Sequence, residues 1–193
     1  MKIGDQELEN VYDFVYLGCD IAGDGDQEVT VKHRCDIAWG KFAEYKKVLT
    51  STKLPLKMRI RYFAALVVQP MTYGSEARLL TKKIKQTING VASKILSLIS
   101  KRTIHEEARN PTFSVIDHVM NKRWQYLGHI LRMNEDRTMR KFLLELQPEV
   151  APYTPGSLMD DTTFGSQAEM IEAASDREHW RAAQRTRQNS MRW

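Results

Sequence analysis

The stretch EVTVKHRCDIAWGKFAEYKKVL, residues 28–49, decides the fold class of this chain. Its apolar side chains recur at spacings of four, three, four, three and four, at Val31, Cys35, Ala38, Phe42, Tyr45 and Leu49. This spacing puts them on one stripe of an α-helix, because residues three and four apart share a helix face. The basic residues fall mostly off the stripe. The segment therefore predicts a long amphipathic helix with one buried face.

The same spacing recurs downstream and predicts a mainly helical body. Helices are expected over about 56–71, 81–100, 114–131 and 139–146, and a last helix begins at residue 166. Ser166-Gln167-Ala168-Glu169 is a capping box, in which serine and glutamate bond each other's unpaired backbone N–H groups. The side chains expected to be buried are Ile60, Phe63, Ala64, Val67 and Val68, then Ile84, Ile88, Val91, Ile95 and Leu98, then Ile116, Val119, Trp124, Leu127, Ile130 and Leu131.

The first residues follow another pattern. Residues 2–4 and 11–18 are predicted as two short strands around a turn at 4–6, since β-branched and aromatic residues favour strands. Residues 148–165 hold three of the six prolines and are predicted as an irregular linker. The expected fold is thus mainly α: a β-hairpin (1–27), a helical body (28–147), the linker (148–165) and a C-terminal helix with a basic tail (166–193).

Positive charge is concentrated in the middle of the chain. The net charge is +5, yet residues 40–102 hold fourteen Lys or Arg and two Asp or Glu, a net of +12. Residues 1–39 hold nine acids and three basic residues. A concentrated basic block is typical of proteins that bind the phosphate backbone of nucleic acids. A solvated, lysine-rich helix face gives the same pattern, so both interpretations stay open.

Several other classes of protein are disfavoured. No apolar run approaches the roughly 18–20 residues of a membrane-spanning helix, and the first residues lack the apolar segment of a signal peptide. Cys19 and Cys35 agree with a reducing compartment. With His33 they are too few for a closed zinc tetrahedron. We therefore expect an intracellular protein, in the cytoplasm or nucleus, without membrane contact or a metal site.

A set of short motifs runs in order along the chain. Phe14-Val15-Tyr16-Leu17-Gly18 is followed by an Asp/Gly turn, a helix, Tyr73-Gly74-Ser75-Glu76, Leu127-Gly128-His129-Ile130-Leu131-Arg132-Met133 and Asp176-Arg177-x-x-Trp180-Arg181. In this order the set resembles the endonuclease/reverse transcriptase polyproteins of non-LTR (LINE-like) retrotransposons. The resemblance covers nearly the whole chain. It fails at Arg78, where that family usually has tryptophan, and at residues 152–165, which replace an Arg/Gly/Pro-rich stretch.

The resemblance implies a role for each segment. The Tyr16-Leu17-Gly18 turn would be the primer-grip-like edge of the polymerase palm, and the later helices the thumb and its C-terminal extension. The implied partners are an RNA/DNA template–primer duplex and the remainder of the reverse transcriptase polypeptide. The candidate nucleic-acid-binding residues are Tyr16, Leu17, Gly18, Lys57, Arg59, Arg61, Lys82, Lys83, Lys85, His129 and Arg132. His129 and Arg132 are three apart and could meet one phosphate, although His129 has a structural alternative.

The carboxylates for polymerisation are missing from this pattern. Nucleotidyl transfer needs acids that hold two metal ions, and reverse transcriptases place two adjacent aspartates before the Tyr-Leu-Gly turn. Asp160-Asp161 lies about 140 residues after that turn, within the predicted linker. We therefore expect no catalytic residue, no cofactor and no polymerase activity in this chain alone, since Mg²⁺ belongs to the palm. The alternative function is a helical protein-interaction module, such as a domesticated fragment.

Overall fold

A computed structural model describes residues 2–3, 6–7, 13–16, 19–22, 27–76, 78, 80–109, 111–145 and 164–190. Its strands are β1 (Lys2–Ile3), β2 (Gln6–Glu7), β3 (Asp13–Tyr16) and β4 (Cys19–Ala22). Its helices are α1 (Gln27–Leu49), α2 (Leu56–Phe63), a π-helical segment (Ala64–Val68), α3 (Gln69–Met71), α4 (Lys82–Ser100), α5 (Ile104–Arg109), α6 (Val115–Leu131), α7 (Thr138–Glu145), α8 (Gln167–Ser175) and α9 (Arg177–Ser190). This part of the chain is predominantly helical.

The predicted N-terminal β-hairpin is not found, so the fold-class prediction is wrong in its β part. β1 pairs with β2, and β3 pairs with β4, so the described parts of the two expected strands, residues 2–3 and 13–16, do not pair with each other. The reason is local: each observed pair closes over a two-residue connection, which costs less chain entropy than a longer loop. Residues 19–22, for which no strand was predicted, form β4. The fold rests on the helices that follow.

The chain divides into two compact units. Unit 1 consists of Met1–Gly74 and Leu80–Val115, and unit 2 consists of Ser75–Leu79 and Ile116–Trp193. The division falls inside the segment predicted as one helical body. No helix among the described residues is both long and apolar enough to cross a bilayer.

In unit 1, α1 packs against α2, the π-helical segment, α3 and α4. Its predicted stripe is confirmed, because Val31, Cys35, Ala38, Phe42 and Leu49 are buried. Tyr45 is half-buried. Phe63 is fully buried and meets Phe113 edge to face, with 5.9 Å between ring centroids. Apolar burial of one face of α1 thus organises this unit, as the 28–49 pattern predicts.

The second predicted helix is interrupted. It begins at Leu56 as expected, but residues 64–68 are π-helical and α-helix resumes at Gln69. Pro70 explains the change, since proline has no N–H to complete the regular hydrogen-bond ladder and its ring crowds the preceding turn. Phe63, Val67 and Val68 are buried as predicted. Ile60 and Ala64 are half-buried.

The apolar stripe of α4 drifts around the helix. Ile84, Ile88 and Ile95 are buried as predicted, but Leu98 remains 47% exposed and Val91 is half-buried. The other buried apolar positions are Ala92, Leu96 and Ile99. A strict alternation of threes and fours has a period of 3.5 residues, whereas a straight α-helix has 3.6 residues per turn. Over nineteen residues this difference moves the buried face.

Unit 2 has an aromatic core. Its buried cluster consists of Trp124, Leu127, Ile130, Leu131, Leu143, Met170, Ala173, Ala174 and Trp180. The predicted stripe of α6 is confirmed except at Ile116, which is half-buried. The single C-terminal helix that was expected is two helices, α8 and α9. Asp176 lies between them, and its carboxylate accepts the backbone N–H of Glu178 (2.8 Å), so a new helix begins there.

Candidate nucleic-acid interface

The N-terminal candidates are only partly described. Tyr16 is the last residue of β3 and lies opposite Cys19 in the β3–β4 pair. Leu17 and Gly18, between these two residues, lie outside the described residues, and so does the Asp160-Asp161 pair. The primer-grip role of the Tyr16-Leu17-Gly18 turn stays a prediction.

The basic residues of α2 divide between two faces. Lys57 and Arg61 are exposed, and their spacing of four puts them on one side of the helix. Arg59 points the other way and is only 8% exposed. Its Nε donates to the Leu54 carbonyl (3.2 Å), and its Nη1 donates to the Ile99 carbonyl. The prediction that Arg59 contacts nucleic acid is therefore corrected. Its guanidinium is buried and hydrogen-bonded to the C-terminal end of α4.

The lysines at the start of α4 are accessible. Lys82 and Lys83 are exposed and Lys85 is half-buried. Thr81 caps the helix by accepting the N–H of Ile84 (3.2 Å), and the first turn contains no acid. The positive end of the helix dipole adds to the field of these lysines. Lys83 also forms an ion pair with Glu28 (2.7 Å), although its side chain remains 71% exposed.

Other cations of the basic block are neutralised. Lys41 pairs with Glu44 (2.8 Å), and the hydrogen bond that its ammonium donates to that carboxylate raises the pKa of Lys41. Arg102 pairs with Glu107 (3.3 Å). Glu44 is already counted in the net charge of +12, but Glu107 lies outside residues 40–102, so its pair with Arg102 lowers the charge that this block presents to a ligand.

Glu107 is a buried acid that the sequence analysis did not single out. Its carboxylate accepts the Ser100 hydroxyl (2.8 Å) and both the backbone N–H (2.8 Å) and the hydroxyl (2.5 Å) of Thr112. Burial acts to raise the pKa of Glu107, but the bonds from Thr112, Ser100 and the charge of Arg102 outweigh it and leave the pKa lowered. Glu107 therefore joins the end of α4 to the segment after α5.

Helix α5 was not predicted, although the sequence contains a signal for its start. Thr103-Ile104-His105-Glu106 fits the capping-box pattern, and both halves of the box form. The Thr103 hydroxyl accepts the N–H of Glu106 (3.2 Å), and the Glu106 carboxylate accepts the N–H of Thr103 (2.7 Å). The same pattern predicts α8 correctly, where the Ser166 hydroxyl accepts the N–H of Glu169 (3.2 Å).

In unit 2 the fold brings two distant motifs together. The rings of Trp124 and Trp180 stack with centroids 4.6 Å apart, and each indole N–H donates to the other residue's carbonyl (3.2 and 3.1 Å). Phe164 stacks on both rings. A Cβ at Gly128 would lie 2.8 Å from Cδ1 and Cε2 of Trp180, so the glycine allows the indole to approach α6. Gly128 and Trp180 thus have a packing role.

His129 and Arg132 differ in exposure and in hydrogen bonding, and their shared phosphate contact stays a prediction. His129 is exposed in the last turn of the helix. Arg132 follows the end of α6, is half-buried, and donates through Nη1 to the Ala174 carbonyl (3.1 Å). Burial lowers the pKa of Arg132, as do the nearby charges of Arg177 and Arg181. The proximity of Arg177 and Arg181 to Arg132 was not predicted from the sequence, although the spacing of four residues between these two arginines is visible there.

The chain is similar to a transposon-derived protein. No protein-family model matches the chain, and no solved structure matches it. The chain is 24% identical over 142 residues to an uncharacterized transposon-derived protein of Caenorhabditis elegans, a match that covers 68% of this chain and 50% of the worm protein. The chain thus spans about half the length of that relative. The likeness is to a transposon-derived protein at low identity, without a reverse transcriptase or endonuclease family being identified.

Proposed function

We propose that this chain binds the sugar–phosphate backbone of an RNA/DNA template–primer duplex, as the C-terminal part of a non-LTR retrotransposon reverse transcriptase. The observation that carries the proposal is the exposed positive charge along the helices of unit 1. The motif order and the transposon-derived relative support the retrotransposon context. Lysine and arginine on helices can neutralise phosphates without reading bases, so binding is expected to be indifferent to sequence.

Exposed cations occupy both ends of α4. Arg59 binds the Ile99 carbonyl, which places α2 with exposed Lys57 and Arg61 beside the C-terminal end of this helix. Lys82, Lys83 and Lys85 lie at the other end. The sixteen residue steps from Lys83 to Ile99 span about 24 Å along the helix axis.

This separation suits contacts to one polyanion. About 24 Å corresponds to roughly seven base-pair steps at 3.4 Å each, so a duplex lying along α4 can reach both clusters. Exposed Lys101 follows the end of α4, whereas exposed Lys94 comes nine residues after Lys85 and therefore lies on the opposite side of the helix. The proposed binding surface therefore consists of Lys57, Arg61, Lys82, Lys85 and Lys101, with Lys83 at its edge because of the Glu28 pair.

Salt dependence tests the proposal. The purified chain is titrated with a fluorescently labelled RNA–DNA hybrid over a series of salt concentrations. We expect log affinity to fall linearly with log salt, with a slope that falls by about 1.8 when two phosphate contacts are removed. The test variants are Lys57→Gln/Arg61→Gln and Lys82→Gln/Lys85→Gln, since glutamine keeps helix propensity and removes charge.

A matched control removes the same charge elsewhere. Arg137 and Lys141 are exposed residues of unit 2, so Arg137→Gln/Lys141→Gln changes the net charge equally. We expect the slope of log affinity against log salt concentration to be the same for this control as for the unaltered chain. If all three double variants bind the hybrid alike, general charge attraction explains the binding and the proposed surface is rejected.

A helical protein-interaction module is the second candidate. Exposed apolar side chains favour it: Leu98 on α4, Ile104 on α5, and Met58 and Tyr62 four residues apart on α2. Apolar contacts strengthen or persist as salt rises, whereas phosphate contacts weaken. A partner complex that survives high salt, with no measurable binding of the hybrid at low salt, would favour this candidate.

A further inference from the structure

Unit 2 contains a groove lined by arginine and glutamine. The groove lies between α6 and α9, encloses about 340 Å³, and is lined by Gln125, Arg132, Arg177, Trp180, Arg181 and Gln184. A second cavity of about 600 Å³ shares Gln125, Arg181 and Gln184 with it and continues to Arg185. The two cavities therefore form one continuous groove along α9.

The arginines of α9 form a regular row. Arg177, Arg181 and Arg185 are four residues apart, so they lie on one helix face at intervals of about 6 Å. All three are exposed. Successive phosphates of an extended nucleic acid strand have a comparable separation, so one strand can meet successive guanidinium groups.

The walls of the groove are held in place. The Asn121 side chain accepts a hydrogen bond from Gln184 Nε2 (3.1 Å), and the Trp124–Trp180 pair fixes the approach of α9 to α6. Arg132 is anchored by the Ala174 carbonyl. A guanidinium carries five N–H donors, so this anchor leaves Arg132 able to bind an anion as well.

The groove places several positively charged arginines close to one another. The ion pairs described in unit 2 join Arg140 to Glu135 and Lys141 to Asp136, and neither involves a groove arginine. Glu178 lines the second cavity and is the acid closest along α9 to Arg181. Burial and the charges of Arg177 and Arg181 lower the pKa of Arg132, so a bound anion would relieve a repulsion already present in the fold.

The width of the groove restricts its ligand. Helices packed directly on each other have axes roughly 8–10 Å apart, and the Trp180 indole reaches the backbone of α6 at Gly128. A single phosphodiester strand is narrower than a duplex and therefore suits a groove between two helices that come this close together. The glutamine side chains offer amide donors and acceptors to the same strand.

We propose that this groove binds the phosphates of a single nucleic acid strand, through Arg132, Arg177, Arg181 and Arg185. The site is formed by residues of unit 2 alone, and the proposal does not require the duplex-binding surface of unit 1 to be correct. It adds a second contact with nucleic acid, of different shape and chemistry.

The test uses the whole chain and a short labelled oligothymidylate. Arg181→Gln/Arg185→Gln is expected to weaken binding about tenfold and to lower the salt slope by about 1.4, the value for two contacts to single-stranded nucleic acid. Arg137→Gln/Lys141→Gln, the charge-matched control, is expected to leave both quantities unchanged. Arg181→Lys/Arg185→Lys keeps the charge and should retain most of the slope.

Two results would overturn the groove proposal. One is equal affinity of the groove variant and the control for the oligothymidylate, with both melting like the unaltered chain. The other is that inorganic pyrophosphate raises the melting temperature of the unaltered chain but not that of Arg181→Gln/Arg185→Gln, while the oligothymidylate does not bind. This result would indicate a small-anion site. Failure of the Lys57/Arg61 and Lys82/Lys85 variants to affect hybrid binding would reject the unit 1 proposal and leave this result intact.

Discussion

Units 1 and 2 carry positive charge in different ways. In unit 1 the sequence is densely basic, but Arg59 is buried and Lys41 and Arg102 are paired with acids. In unit 2 residues 142–193 have five basic and eight acidic residues, yet the fold puts Arg177 and Arg181 beside Arg132 in one groove. Charge density along a sequence therefore differs from charge density in space, because helical spacing and packing decide which charges meet.

The hydrophobic cores of the two units also differ in the side chains that form them. Unit 1 buries aliphatic stripes along several helices, so its apolar burial is spread over many side chains. Unit 2 places two tryptophans and a phenylalanine against one another at the contact of α6 and α9. We expect the stability of unit 2 to depend on few residues and that of unit 1 on many.

Trp180→Ala tests this difference most strongly. The change removes a buried indole, its stacking on Trp124 and the hydrogen bond that its N–H donates to the Trp124 carbonyl, and should lower the free energy of unfolding of unit 2 by about 4 kcal/mol. Amide hydrogen exchange is expected to accelerate in α6, α8 and α9 and to remain slow in α1 and α4. The control is Trp39→Ala, which removes a half-buried indole from unit 1. Equal acceleration in both units would contradict the separation of their cores.

Gly128→Ala should have the next largest effect. The added methyl meets the Trp180 ring, so the indole must shift and the free energy of unfolding should fall by about 2 kcal/mol. Gly90→Ala is the matched control in α4, where an added Cβ has no neighbour within 4 Å. There alanine should stabilise the chain by about 0.7 kcal/mol, because it favours helix. Chemical denaturation of both variants measures these opposite signs, and a destabilising Gly90→Ala would show that helix propensity is not the governing term.

The helices of both units could be predicted from the sequence, because apolar spacing reports directly on which helix face is buried. Val31 to Leu49 and Val119 to Leu131 follow that rule closely. The β-pairing could not be predicted, since strand propensity does not select a partner. The π-helical turn before Pro70 and the break at Asp176 depend on local hydrogen bonding, which apolar spacing does not report.

The candidate site was predictable only in part. Exposed Lys57, Arg61 and Lys82 lie off the apolar stripes, and that position is visible in the sequence. The burial of Arg59 depends on the carbonyl of Ile99, forty residues away, so no local pattern reveals it. The arginine groove likewise depends on the packing of α9 on α6, which brings Arg132 near residues some forty-five positions later in the chain.

Glu107→Gln probes how unit 1 uses a charge inside its core. Glutamine keeps the size but loses the carboxylate that accepts from Ser100 and Thr112, and we expect a loss of about 2 kcal/mol at neutral pH. The pKa of Glu107 is lowered in the folded chain, so its contribution is present above the ordinary value of 4.5 and is lost as pH falls through the folded pKa. The difference in the free energy of unfolding between the variant and the unaltered chain, measured by denaturation, should therefore shrink as the pH is lowered from neutral to acidic. A difference that persists at low pH would contradict the ionic role.

Lys101→Gly is expected to have the smallest effect on stability, and it separates stability from charge. Lys101 ends α4 with a φ of 61°, a left-handed conformation that glycine adopts without strain, so the variant should be more stable by about 0.7 kcal/mol. The same change removes an exposed cation from the proposed surface of unit 1. We therefore expect a higher melting temperature together with a salt slope for the RNA–DNA hybrid that is lower by about 0.9. A more stable variant with an unchanged slope would place Lys101 outside the binding surface, and the duplex contacts of unit 1 would then be confined to α2 and the first turns of α4.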